Sequence, residues 1–213
     1  MVFKDRADAG SKLADALHQY RGGNTVVYAL PRGGVVLGAE IARSLNAPLD
    51  LMIVRKVGHP NSPEYAIAAV AEDGHTVMNT FEVNSVDKVW FDEAVRTQQQ
   101  EACRRRELYT RDRPPIPATD KTAILVDDGL ATGLTMFAAV QEVQHSHPRK
   151  IVVAVPVAPP HAVQELSQVA DDVVALYVTP DFGAIGAFYY RFGQVSDEEV
   201  IELMKSTHTI EHA

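Results

Sequence analysis

Apolar positions recur along this chain with two periods. Ala9, Leu13, Ala16, Leu17 and Tyr20 fall near helical spacing and predict a helix over 5–20, which "RGGN" ends. "TVVYAL" (25–30) is a continuous apolar run of strand length, and "VVLGAEIARSL" (35–45) is helical again. "APLDLMIVRKV" (47–57) contains the next strand, so strand, helix and strand follow one another with short connections, the signature of a parallel α/β unit. "GHPNSPEY" (58–65) is rich in Gly, Pro, Asn and Ser and predicts a loop; "AIAAVAEDG" and "HTVMNT" predict two short strands turning at Asp73-Gly74. A long polar helix over 85–109 leads into a proline-rich connector, "RDRPPIPATD" (111–120). Then "TAILVDD" is a strand, 134–145 a helix, 151–157 a strand, 161–169 a helix and 172–178 a strand. The remainder, "TPDFGAIGAFYYRFGQVSDEEVIELM", is aromatic and glycine-rich, then helical, with Ser196 as N-cap and acids in the first turn.

Composition narrows the class. A chain of 213 residues suits one domain with a small appendage, and 46 % hydrophobic with 23 % charged residues is ordinary for a water-soluble globule. The formal net charge of -8 argues against a broad nucleic-acid surface. It does not argue against an anionic ligand, because charges are screened beyond roughly 8 Å at physiological salt and local groups decide binding. The single cysteine, Cys103, excludes a disulfide within the chain and argues against a cysteine-based zinc site. "MVFKDRADAG" has no apolar core of the kind a signal peptide needs, and "IVVAVPVA" (151–158) is too short to span a bilayer. The expectation is a cytoplasmic protein with no membrane or nucleic-acid partner.

One stretch carries chemistry: "ILVDDGLATGLTM" (124–136). Adjacent side chains of a strand point to opposite faces, so two neighbouring carboxylates inside a sheet would bury a charge. They are tolerable at the strand's C-terminal end, which is also where open α/β sheets bind ligands. Gly129, Leu130, Ala131, Thr132, Gly133, Leu134 and Thr135 then turn into a helix whose free amides and dipole favour a phosphate, with Thr132 and Thr135 adding hydroxyl donors. Asp127 and Asp128 accept from hydroxyls on one side and the loop cradles an anion on the other, a pairing that suits a sugar phosphate. A capped helix after a buried strand would explain Asp-Asp-Gly alone, but not the whole run, because one N-cap is enough.

"VDDGLATGLT" resembles the phosphoribosyl-diphosphate (PRPP) binding motif of the type I phosphoribosyltransferases, and the order of elements over about 24–179 is similar to theirs. The chain is similar to a bacterial branch of that family. The resemblance implies a doubly wound α/β domain, mainly parallel and flanked by helices, with a small hood drawn from the N-terminus and about 180–213. It also implies Mg²⁺ carried by PRPP rather than held by a protein metal site, small-molecule substrates (PRPP and a nucleobase-like acceptor), and a homodimer as one assembly open to the chain.

Further stretches fall into place around that motif. In "PRGG", Gly33 and Gly34 allow close backbone approach and Arg32 offers a planar fork to an oxyanion. In the family this loop binds diphosphate, often through a non-proline cis peptide, which by position would be Pro31–Arg32. Arg55 and Lys56 end the second strand; in the resembling enzymes a basic residue here touches the diphosphate, and the loop beyond, here 58–64, closes as a mobile lid. A charged strand end before an ordinary loop is the plainer account. Phe182, Phe188 and Tyr189 crowd near glycines in "DFGAIGAFYYRFG" and could form a stacking face for a planar base, or a satellite cluster that pins the C-terminus. Arg104, Arg105 and Arg106 point in three directions around one helix and read as a solvated face paired with Glu101 and Glu107; Trp90 reads as packing. The expected reaction is transfer of ribose 5-phosphate from Mg-PRPP to a ring nitrogen, with Asp127 and Asp128 on the ribose hydroxyls. The rival is a non-catalytic sensor of PRPP or a nucleotide on the same fold. No residue stands out as general base, and the sequence does not name the acceptor.

Overall fold

A computed structural model gives the fold and describes residues 2–111 and 113–208. The strands β1 (Thr25–Ala29), β2 (Leu49–Leu51), β6 (Thr122–Val126), β7 (Lys150–Ala158) and β8 (Asp172–Val178) form a five-stranded parallel sheet in the order β2-β1-β6-β7-β8. Their runs are continuously apolar because both faces are covered. Val27, Ala29, Ile124, Val126, Val152 and Ala154 point to one face, packed under α1 (Arg6–Ala16), α2 (Gly33–Leu45) and α7 (Asp197–His208). The alternate residues Val26, Tyr28, Ala123, Leu125, Val153 and Val155 point to the other, under α5 (Leu134–Gln144) and α6 (Pro160–Leu166). The order reverses between β1 and β6, which start the two halves of the sheet, so the crevice at their C-terminal ends is the topological switch point.

The run 47–57 does not make one strand. It breaks at Met52 and Ile53: β2 joins the parallel sheet, and β3 (Val54–His59) leaves it for a separate antiparallel sheet in the order β3-β4-β5. β4 (Ser62–Ala71) and β5 (Thr76–Met78) turn where expected, with Gly74 N–H on Ala71 O. The stretch expected as an open loop at 58–64 is instead the end of a hairpin, with His59 opposite Ser62 and register shifts on both sides of Gly58 that absorb the irregular sequence. Its polar composition reflects exposure rather than missing pairing. The long helix α4 (Lys88–Thr110), preceded by the short α3 (Thr80–Val83), packs Phe91 against Val57, Ile67, Ala68 and Val70 of this sheet, with Trp90 half-buried beside them.

The N-terminal residues meet the segment after β8. Phe3 N–H donates to Phe188 O at 3.0 Å, Tyr190 N–H to Phe3 O at 2.9 Å and Arg191 N–H to Lys4 O at 2.9 Å. The final residues 209–213 of the stretch expected to build a hood lie outside the described residues. Among the described residues no helix is long and apolar enough to cross a membrane.

Candidate active site

A cavity of about 340 Å³ opens at the switch point, lined by Pro31, Val54–Lys56, Asp127–Gly133, Thr135, Met136 and Ile185. That is at the small end of ligand pockets, which run from about 300 to 1,000 Å³. β6 delivers the two carboxylates; the turn after it delivers the loop. Gly133 is the N-cap of α5 at φ 74°, a left-handed conformation that a side chain would strain, and no side chain caps the helix. The first-turn amides are thus without a side-chain partner, and the hydroxyl-bearing Thr132 and Thr135 stand at the same wall. Leu130 N–H is not available to a ligand, because it donates to Val157 O at 2.9 Å. Leu134 does not line the cavity.

The two aspartates differ. Asp127 folds back so that its Oδ1 accepts from Asp128 N–H at 2.8 Å, and burial, then the charge of Asp128, push its carboxyl well above the usual range. Asp128 is also pushed up by burial, against the pull of Arg6, whose Nε donates to Asp128 Oδ2 at 2.8 Å. The opposite wall carries Arg55 and Lys56. Among the described residues neither is in an ion pair; Arg55 Nε donates to Gln98 Oε1 at 3.2 Å, and burial, then Arg105, lower its affinity for the proton.

The "PRGG" turn meets the site with its backbone. The Pro31–Arg32 peptide is cis, and Pro31 lines the cavity. The Arg32 guanidinium points elsewhere, 3.6 Å from Asp197 Oδ1. Gly33 is required by crowding: a Cβ there would lie 2.0 Å from Asp128 Oδ2; at Gly34 it would lie 2.7 Å from Val126 O. The aromatics divide. Tyr189 is 2 % exposed, with Phe3 and Phe192 against its ring, and its hydroxyl donates to Asp128 O at 2.7 Å. Phe188 packs on Tyr177 and Phe182. Phe182 lines a neighbouring recess of about 510 Å³ with Pro159, Pro160, His161 and Pro180. Ala131 belongs to both spaces.

Two contributors were not found by reading the sequence, Arg6 and Ile185. Neither carries a local signal: Ile185 lines the cavity and Arg6 stands behind it on Asp128, in the region where the chain's two ends pair. The arginine triplet also departs from its reading. Arg104 and Arg105 do pair with Glu101, but Arg106 turns inward to Glu72 and Asp50 at 2.8 and 2.6 Å.

Comparison with known proteins fits this arrangement. The model of the phosphoribosyl transferase domain family matches residues 3–190. A protein of Mycobacterium tuberculosis named "Putative phosphoribosyl transferase" is 43 % identical over 209 residues, which is 97 % of this chain and 47 % of the relative; this chain spans about half the length of such curated relatives. The crystal structure of TT1426 from Thermus thermophilus is 44 % identical, with a TM-score of 0.81 over 97 % of this chain and 99 % of that one. With the parallel sheet, its switch-point cavity and the acidic strand end in place, this chain belongs to the phosphoribosyl transferase family.

Proposed function

We propose that the protein transfers the 5-phosphoribosyl group of PRPP to a nitrogen of a nucleobase-like acceptor and releases diphosphate. One observation carries this reading: a single cavity brings together an uncapped helix start, two carboxylates and two cations without ion pairs among the described residues. The 5-phosphate would sit on the turn 129–135, receiving the amides at the start of α5 and the hydroxyls of Thr132 and Thr135. Asp127 and Asp128 would hold the ribose hydroxyls. Arg55 and Lys56 would face the diphosphate, with the backbone of the 31–34 turn beside it rather than the Arg32 side chain. In the reaction the C1–O bond to diphosphate breaks, the acceptor nitrogen bonds to C1, and the acceptor's proton leaves to solvent. Positive charge develops on the ribose ring as in glycoside cleavage, and fixed carboxylates beside the ring stabilise it.

Mg²⁺ would arrive with PRPP. The donor set fits: Mg²⁺ keeps several waters and takes substrate phosphates with one or two carboxylates, and Asp127 and Asp128 both line the cavity. When bound it supplies charge neutralisation to the diphosphate. The recess next to Ala131 would take the acceptor ring, with Phe182 and His161 on its walls. The hairpin of β3 and β4, which carries Arg55 and Lys56 at its base, would serve as the cover over the reacting centre. A panel of purines, pyrimidines and pyridine carboxylates with PRPP and Mg²⁺, followed by diphosphate release, tests transfer; release with at least one of them is expected. Tight PRPP binding with no release from any member would replace the enzyme by a sensor.

A further inference from the structure

Arg6 belongs to neither the acidic motif nor the turn after it, yet it is held against one of the site's two carboxylates. Its Nε donates to Asp128 Oδ2 at 2.8 Å, its Nη1 to Gly193 O at 2.7 Å, and its guanidinium carbon lies 3.8 Å from the centroid of the Phe192 ring. The Arg6 and Asp128 side chains are only 12 % and 13 % exposed, so this is not a screened surface pair. The surroundings are shaped to it. A Cβ at Gly33 would lie 3.0 Å from Arg6 Nε as well as against Asp128 Oδ2, and Tyr189 fixes Asp128 from its backbone side. The result is asymmetric: Arg6 holds Oδ2, and Asp128 lines the cavity.

We propose that Arg6 is a positioning residue for ribose recognition: it fixes the Asp128 carboxylate from behind so that the remaining oxygen is aimed at a sugar hydroxyl. The inference rests on the functional reading above. A planar guanidinium held on three sides has little freedom left to lose, so the carboxylate it grips is ordered before the ligand arrives. A lysine could supply the charge but not the simultaneous grip on Gly193 and Phe192.

The test compares ribose 5-phosphate with its 2-deoxy and 3-deoxy forms and with inorganic phosphate, by calorimetry, on the wild type and on Arg6→Gln, Arg6→Lys and Phe192→Leu. The wild type should prefer ribose 5-phosphate over at least one deoxy form by about tenfold or more, the weight of one charge-assisted hydrogen bond. In Arg6→Gln that preference should fall to about threefold or less while inorganic phosphate binds as before; Arg6→Lys and Phe192→Leu should fall between. An Arg6→Gln variant that keeps the full preference overturns the inference. So does one that loses inorganic phosphate in parallel with a large drop in Tm, which would make Arg6 only structural. Tighter sugar binding in Arg6→Gln overturns it too, because the ion pair would then compete with the ligand. If the wild type itself binds none of the sugar phosphates, the functional reading falls first and the inference with it.

Discussion

Two clusters of shielded charge in this protein are built from the same parts and end differently. At the switch point, Arg6 from one helix grips one oxygen of Asp128, a residue that lines an open cavity. Under the antiparallel sheet, Arg106 from another helix spends its donors on Glu72, Asp50 and Leu51 O, and Asp50 has both oxygens engaged, Oδ1 by Arg106 and Leu51 N–H and Oδ2 by Ile116 N–H at 2.8 Å. The second cluster ties β2, the end of β4, α4 and the proline-rich connector into one unit. Burial lowers the proton affinity of Arg106, and its bonds to Glu72 and Asp50 more than reverse this. Satisfied charge holds structure, whereas charge left half-satisfied beside open space is ready for a ligand.

The comparison can be broken most forcefully at Arg106. Arg106→Leu leaves Asp50 and Glu72 shielded without their partner, and stability should fall by about 3–5 kcal/mol in denaturant unfolding. Asp128→Asn should do the reverse. PRPP affinity should drop by the roughly 1.5–3 kcal/mol of a charged hydrogen bond, with much less change in stability. A variant that unfolds as Arg106→Leu does would erase the contrast. Asp127→Asn belongs to the same test, and unchanged PRPP binding in both variants would make the pair structural.

Glu142 sharpens the contrast, because among the described residues it is the one carboxylate of the second region that escapes satisfaction. Its Oε2 is shielded from solvent without a partner beside a cavity of about 210 Å³, and burial, then Glu72 and Asp73, push its carboxyl up to about 8. The unfolded chain loses this proton near the ordinary value of 4.5, and the folded protein keeps it to about 8. Between those values the native state binds more protons, so this group makes stability fall as pH rises, by about 1.4 kcal/mol per pH unit in mid-window. Glu142→Gln should flatten that slope in unfolding measured from pH 5.5 to 7.5; an unchanged slope would assign it elsewhere. The smallest effect is expected in the turn 129–135, the proposed phosphate cradle. Thr132→Ala and Thr135→Ala should each weaken inorganic phosphate by about 0.5–1.5 kcal/mol, the worth of a neutral hydrogen bond, with the amides still in place. Complete loss of phosphate in either single variant would mean the hydroxyls, not the helix start, make the site.

Much of this was legible in order along the chain, because strands and helices advertise themselves by period. The runs at 25–30, 122–128, 151–157 and 172–178 match β1, β6, β7 and β8 to within a few residues, and the acidic pair stands at the end of β6. What period does not carry is the choice of sheet. "LDLMIVRKV" is apolar throughout its middle, and nothing local says that Met52 and Ile53 pass the chain from one sheet to another. Nor does local pattern announce a partner more than a hundred residues away: Arg6 looks like any polar residue of a first turn until the ends of the chain meet. Arg106 misled for the opposite reason, since its two neighbours do pair along the helix as local spacing suggests. The aromatic segment gave its location but not its orientation. Tyr189 is spent on Phe3 and the Asp128 backbone, whereas Phe182 lines the recess beside Ala131.

The break at Met52 and Ile53 also sets an order of events as the chain folds. β3, β4, β5 and α4 are consecutive and pair among themselves, whereas β1 must find β6 across the whole of that inserted unit. Contacts between near neighbours form sooner than those that close long stretches of chain. Once compact, the inserted sheet shortens the effective span that β1 and β6 have to close, and closure entropy grows with that span. Pulse-labelling hydrogen exchange during refolding should therefore protect the amides of β3 and β4 before those of β1 and β6. The switch-point cavity, which needs both, would then be among the last parts of the protein to exist.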